Sequence, residues 1–134
     1  MSYKNTFISI SEDSDNDSAI VPAPRNNKPT IASIEYGLIK ENPYRYTEAD
    51  IQFKTHLMKN ELEATNFPDG LREAFSSKPK ACFRASPLVK KYGWGIHYNQ
   101  EGKLALYGVN SEQYNQFLHS SEVTQLKGMR SKRK

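Results

Sequence analysis

Trp94-Gly95-Ile96-His97-Tyr98-Asn99-Gln100-Glu101-Gly102-Lys103-Leu104-Ala105-Leu106-Tyr107-Gly108-Val109 decides the fold. Side chains alternate between the two faces of a strand, so Trp94, Ile96 and Tyr98 share one face, as do Leu104 and Leu106. Asn99 to Gly102 is turn chemistry, with Gly102 placed for the left-handed residue that closes such a connection. This stretch predicts a β-hairpin over 94–98 and 103–109.

Upstream, Asn5 to Ile10 alternates Phe7 and Ser9 against Thr6, Ile8 and Ile10, which predicts a half-buried strand. Thr30 to Asn42 places Ile31, Ile34, Leu38 and Ile39 on one helical stripe, and Asn42-Pro43 ends it. Ile51, Phe53 and Leu57 alternate in a strand-like way. Thr47 with Asp50 is nevertheless a short-armed capping box, and Tyr46 with Ile51 a hydrophobic staple, so the segment 48–59 is predicted as a helix. Asp69 to Ser77 reads as a short helix presenting Leu71, Ala74 and Phe75. Downstream of the hairpin, Asn110 or Ser111 caps a helix showing Tyr114, Phe117 and Leu118, and 123–129 reads as a last strand. The order β-α-α-α-β-β-α-β predicts an α+β fold: an antiparallel sheet of about four strands with helices packed on one face.

The chain has 134 residues and a net charge of +4. Leu, Ile, Val and Phe number 27, near the floor for a globular protein, and eight Tyr and one Trp add apolar area. One domain spanning 1–134 is expected, with a loose acidic and proline-rich loop at 11–29 and a basic tail at 130–134. No apolar run reaches the about 18–20 residues of a membrane span. Met1 to Asn5 lacks the features of a secretory leader. Cys82 is the sole cysteine, which excludes an intramolecular disulfide or a multi-cysteine zinc site and points to a reducing cytoplasm.

Charge is unevenly placed. Residues 1–77 carry 8 Lys/Arg against 12 Asp/Glu, and residues 78–134 carry 11 against 3. The basic groups concentrate from Lys78 to Trp94 (Lys78, Lys80, Arg84, Lys90, Lys91) and in the tail (Lys127, Arg130, Lys132, Arg133, Lys134). Such clusters raise the local potential and attract anions. Tyr92 and Trp94 beside Lys90 and Lys91 suit stacked bases next to phosphates, and Gly93 and Gly95 would let a backbone approach a ligand. The same residues also read as the core face of a strand, with glycines that let it bend.

Other patterns are weaker. Asp13, Asp15 and Asp17 resemble the start of a calcium loop, but Ser18 stands where glycine is needed and Pro24 where glutamate is needed. His56, His97 and His119 lack metal-ligand spacing, so no metal and no cofactor is expected. Cys82 flanked by Lys80 and Arg84 could pair with His97 as a thiolate, though a buried, inert thiol is the simpler reading. Glu61 and Glu63 show no cleft signal. There is no Walker motif and no Gly-x-Ser-x-Gly, and no catalytic residue is assigned.

The segments Ser86-Pro87-Leu88, Lys91-Tyr92-Gly93-Trp94-Gly95-Ile96-His97, Glu101 to Tyr107 and Met129-Arg130-Ser131-Lys132-Arg133 resemble a family of small bacterial cytoplasmic proteins of unknown function. The opening Asn5-Thr6-Phe7-Ile8, Val21-Pro22 and Tyr46-Thr47 are similar to it too. One departure is Lys59-Asn60-Glu61-Leu62, where the resemblance implies a basic-Gly-Ile ending. It implies a single domain and a cytoplasmic setting, and no reaction.

Three functions stand on these observations. The first is a non-enzymatic module binding an anionic partner, nucleic acid foremost, through Arg84, Lys90, Lys91, Tyr92, Trp94, His97, Lys127, Arg130, Lys132 and Arg133. The second is a small-molecule pocket or enzyme around Trp94, His97, Arg84 and Cys82. The third is a protein-interaction role, with an exposed edge strand and tyrosines forming a homodimer.

Overall fold

The computed structural model describes residues 3–12, 14, 17–60, 69–78 and 80–130 of the chain. Asp13, Asp15, Glu61, Glu63, Lys132 and Arg133 lie outside the described residues, as do parts of the 59–62 and 129–133 segments.

The hairpin forms as expected from β2 (Trp94–Tyr98) and β3 (Leu104–Gly108), paired antiparallel with Ile96 opposite Leu106. Gly102 takes the left-handed backbone (φ 78°), and Asn99 Oδ1 accepts the amides of Glu101 and Lys103 at 2.9 Å. β1 (Thr6–Ser9) adds antiparallel to β2, with Phe7 opposite His97. β4 (Thr124–Lys127) adds to the other side of β1 and runs parallel to it, so the sheet has the order β3-β2-β1-β4 and is mixed. Among the described residues the outer edge of β4 carries no partner strand, and most of β4 is exposed.

The sheet separates two layers of helix. α1 (Ile31–Lys40), α2 (Glu48–Lys59) and α4 (Pro87–Lys90) cover the face that carries Ile8, Trp94, Ile96, Tyr98, Leu104 and Leu106. Ile39, Ile51, Leu88 and Val89 complete this core. α5 (Glu112–Leu118) lies across the opposite face. Its Tyr114 and Phe117 pack on Phe7 with ring centroids 5.1 and 5.4 Å away. All four residues of β1 are therefore buried, where the alternation had predicted a half-buried strand. Gly95 faces α5, and a Cβ there would come 2.7 Å from both Phe7 and Tyr114. The glycine makes room for aromatic rings of the protein itself rather than for a ligand.

Start signals fix the helices. Thr30 and Thr47 both close capping boxes, the second with Asp50 through bonds of 3.1 and 3.2 Å. α3 (Leu71–Ser76) follows Gly70 and buries no residue, although Phe75 packs on Phe53 at 5.5 Å. A single 3-10 turn (Phe83–Ala85) leads into α4, which begins with Ser86 as cap and Pro87 at the first helical position. Among the described residues, no helix is long and apolar enough to cross a membrane.

Candidate functional site: a basic edge beside the C-terminal arm

The ten residues expected to bind an anion do not share one surface. Trp94 is 7% exposed, and its indole N–H donates to the Ile20 carbonyl at 2.8 Å. A ring enclosed this way offers no stacking face. Tyr92 is half-buried and packs against the same core.

His97 lies on the opposite face from Trp94, stacked on Phe117 at 4.1 Å. The Tyr44 hydroxyl contacts both His97 Nδ1 (2.7 Å) and the Tyr107 hydroxyl (2.8 Å). Burial holds the His97 imidazole below its usual value. It also raises the Tyr44 phenol, with the Tyr107 hydroxyl adding to the effect. The pocket expected around Trp94, His97, Arg84 and Cys82 is thus divided by the sheet. Cys82 lines a cleft with Glu48, whose carboxylate bonds Tyr98 on the Trp94 side, so the thiol and His97 are not a pair.

Three of the ten residues do converge. Arg84, Lys127 and Arg130 line one cleft of about 350 Å³ together with Glu12. The parallel β1–β4 pairing carries the arm after Lys127 past the end of β1, where Gly128 N–H donates to Ser9 O at 2.8 Å. Ser11 then ties the arm to α4: its hydroxyl donates to Met129 O at 2.6 Å and its amide to Val89 O at 2.9 Å. Arg84 Nε donates to Lys127 O at 2.7 Å, and Met129 N–H donates back to Arg84 O. The terminal nitrogens of Arg84 take no partner among the described residues. Lys90 and Lys91 follow at the end of α4 and enter no ion pair among the described residues.

Glu12 occupies the cleft as an internal anion. Lys127 Nζ donates to its Oε1 at 2.9 Å, and Arg130 donates to Oε2 through Nε at 3.1 Å and through Nη2. These bonds, with the charges of Lys127 and Arg130, hold the carboxyl down to about 2. No local pattern signals this clasp, because Glu12 is separated from its partners by most of the chain.

Two further acids escaped the sequence reading. Glu35 and Glu48 are buried at 7% and 6% exposure. Glu35 did leave a trace, since it interrupts the apolar stripe of Ile31, Ile34 and Leu38. Glu48 left none, because an acid in the first turn of a helix is ordinary.

A four-stranded mixed α+β sheet whose basic edge is clasped on an internal carboxylate defines the class of this protein. The chain belongs to a family described as "Family of unknown function (DUF6157)", whose model matches residues 1–134. No curated protein and no solved structure matches it.

Proposed function

We propose that the protein is a non-enzymatic binding module that engages an anionic partner, nucleic acid foremost, through Arg84, Lys127 and Arg130. One observation carries this reading: cationic side chains far apart in the sequence gather around a single cleft whose backbone is pinned from both sides. Glu12 marks where an anionic oxygen binds, and an incoming phosphate would take its place on Lys127 and Arg130. A phosphate would also reach the open nitrogens of Arg84. A lone cysteine, Cys82, suits a cytoplasmic setting.

Because Trp94 is enclosed, recognition rests on phosphates and not on stacked bases. Binding is therefore expected to be indifferent to base sequence and steep in salt. Three phosphate contacts on duplex DNA give a slope of roughly −3 in log affinity against log salt. Anisotropy of a labelled duplex, titrated between about 50 and 200 mM salt, tests this. The triple variant Arg84→Gln, Lys127→Gln, Arg130→Gln is expected to lose both the affinity and the slope. Absence of binding at low salt, or a triple variant that binds like the parent, overturns the reading.

A further inference from the structure

The backbone that carries Glu12 is held at the basic cleft. Ser11, directly before it, is 2% exposed and tied on two sides: its amide donates to Val89 O at 2.9 Å and its hydroxyl to Met129 O at 2.6 Å. Ser14 N–H donates to Ser11 O at 3.1 Å and turns the chain just after Glu12. The C-terminal arm is seated as firmly. A Cβ on Gly128 would come 2.8 Å from both Ser11 Oγ and the Val89 side chain, so the two backbones are in direct contact there.

The Glu12 side chain is under no such restraint. It is 43% exposed, so rotation about its own bonds turns the carboxylate out to water without unseating Ser11 or Gly128. Charge is what keeps it in: Lys127 Nζ on one oxygen, Arg130 Nε and Nη2 on the other. Among the described residues Glu12 is the one acid that pairs with these two cations. Arg84 lines the same cleft and pairs with no acid among the described residues. The cleft therefore has an occupied part, Lys127 and Arg130, and an open part, Arg84.

Anions of different kinds meet this arrangement differently. A tethered group competes at an effective concentration in the roughly millimolar range. A free phosphate must displace it and also gives up its own freedom of motion. A chain of phosphates has another route. One phosphate lands on Arg84, and a neighbour on the same strand then competes with Glu12 from a tether of its own. That exchange is even in charge, since a phosphodiester is singly negative, as a carboxylate is.

We propose that Glu12 is a built-in competitor that reserves the cleft for polyanions and turns away single phosphates. This rests on the reading of the cleft as a nucleic-acid edge, and it adds what selects among anions there.

Two probes test it. One is a labelled DNA duplex followed by anisotropy. The other is inorganic phosphate followed through the Gly128 and Met129 amide resonances, with chloride of equal ionic strength as control. In the parent the duplex is expected to bind, and phosphate up to about 10 mM to leave both amides where chloride leaves them. Glu12→Gln keeps an oxygen for Lys127 and Arg130 and removes the charge. It is expected to admit phosphate saturably and to bind the duplex about tenfold tighter, the factor for a cleft otherwise open about a tenth of the time. Glu122→Gln removes the same charge at an exposed position just ahead of β4, and is expected to stay within about twofold of the parent. One readout needs no variant: the Glu12 carboxyl resonance of the parent should move toward that of an exposed glutamate as the duplex binds. Four results overturn the proposal and leave the nucleic-acid reading intact. They are equal duplex affinity in parent and Glu12→Gln, an equal gain in Glu122→Gln, phosphate that treats parent and Glu12→Gln alike, and a carboxyl resonance unmoved in the duplex complex. If the duplex fails to bind the parent at low salt, the reading and the proposal fall together.

Discussion

Ser86 Oγ donates to Glu35 Oε1 at 2.8 Å, and that is the single hydrogen bond the Glu35 carboxylate accepts among the described residues. One hydroxyl does not replace the water a carboxylate loses on burial. Burial therefore pushes Glu35 from 4.5 up to about 7, against the opposing pull of Ser86 and with a further push from Glu48.

The folded protein then holds a proton on Glu35 where the unfolded chain has released it. Glu35 favours folding most below 4.5, and that contribution is lost as pH rises from 4.5 to about 7. The total change is roughly 3 kcal/mol. Urea unfolding across this range is expected to show stability falling with pH. Glu35→Gln should remove that component of the slope and unfold later than the parent at alkaline pH. An unchanged slope in the variant would place the titrating group elsewhere.

Glu12 moves in the opposite direction. Its folded value of about 2 lies below the unfolded 4.5, so its contribution is present above 4.5 and fades as pH falls toward 2. The pair is open to solvent, with Glu12 43% exposed, so salt should weaken it. Carboxyl resonances followed by NMR are expected to titrate near 2 in the parent and return toward 4.5 in Lys127→Gln, Arg130→Gln. A Glu12 carboxyl that titrates at an ordinary value in the parent would show that the clasp does not form in solution.

How much of this was legible depends on distance along the chain. The hairpin could be read because its pattern and its turn residues lie within one continuous stretch. α2 could be read because Thr47 and Asp50 fix its start, and they prevailed over an alternation that also comes out buried, since Ile51, Phe53, Thr55 and Leu57 are all inside. The parallel β1–β4 pairing leaves no local mark, and with it went the position of the arm and the Glu12 clasp. α4 had its Ser86-Pro87 signal but is too short to show a period. One error was avoidable. Trp94 and His97 are three positions apart in a strand, so they point to opposite faces of the sheet.

Two glycines give opposite expectations for the same substitution. At Gly95, a Cβ would meet the Phe7 and Tyr114 rings at 2.7 Å, inside packed core on both sides. Gly95→Ala is expected to destabilise by about 1–3 kcal/mol, the usual cost of overpacking. At Gly37, within α1, an added Cβ meets only Glu41 Oε2 at 3.8 Å. Gly37→Ala is expected to stabilise by about 0.5–1 kcal/mol through helix propensity. Denaturant midpoints of the two variants should move in opposite senses. A shift in the same sense would mean that α5 does not seat on β2 as described.

Trp94 is the single tryptophan of the chain, which makes its fluorescence a clean report on whether bases reach that ring. The ring is 7% exposed, lies against Tyr36 at 5.2 Å, and is bonded to the Ile20 carbonyl. Its emission should be that of an indole in apolar surroundings, and iodide should quench it poorly. A duplex bound through Arg84, Lys127 and Arg130 should leave the emission unchanged while the anisotropy of the labelled strand rises. Trp94→Phe loses the indole hydrogen bond and some packed volume, so it should be less stable by about 1–3 kcal/mol. Its affinity for the duplex should nevertheless match the parent's. Strong quenching by the duplex, or a loss of affinity in a folded Trp94→Phe, would mean that bases stack on the ring and that phosphate contacts alone do not account for binding.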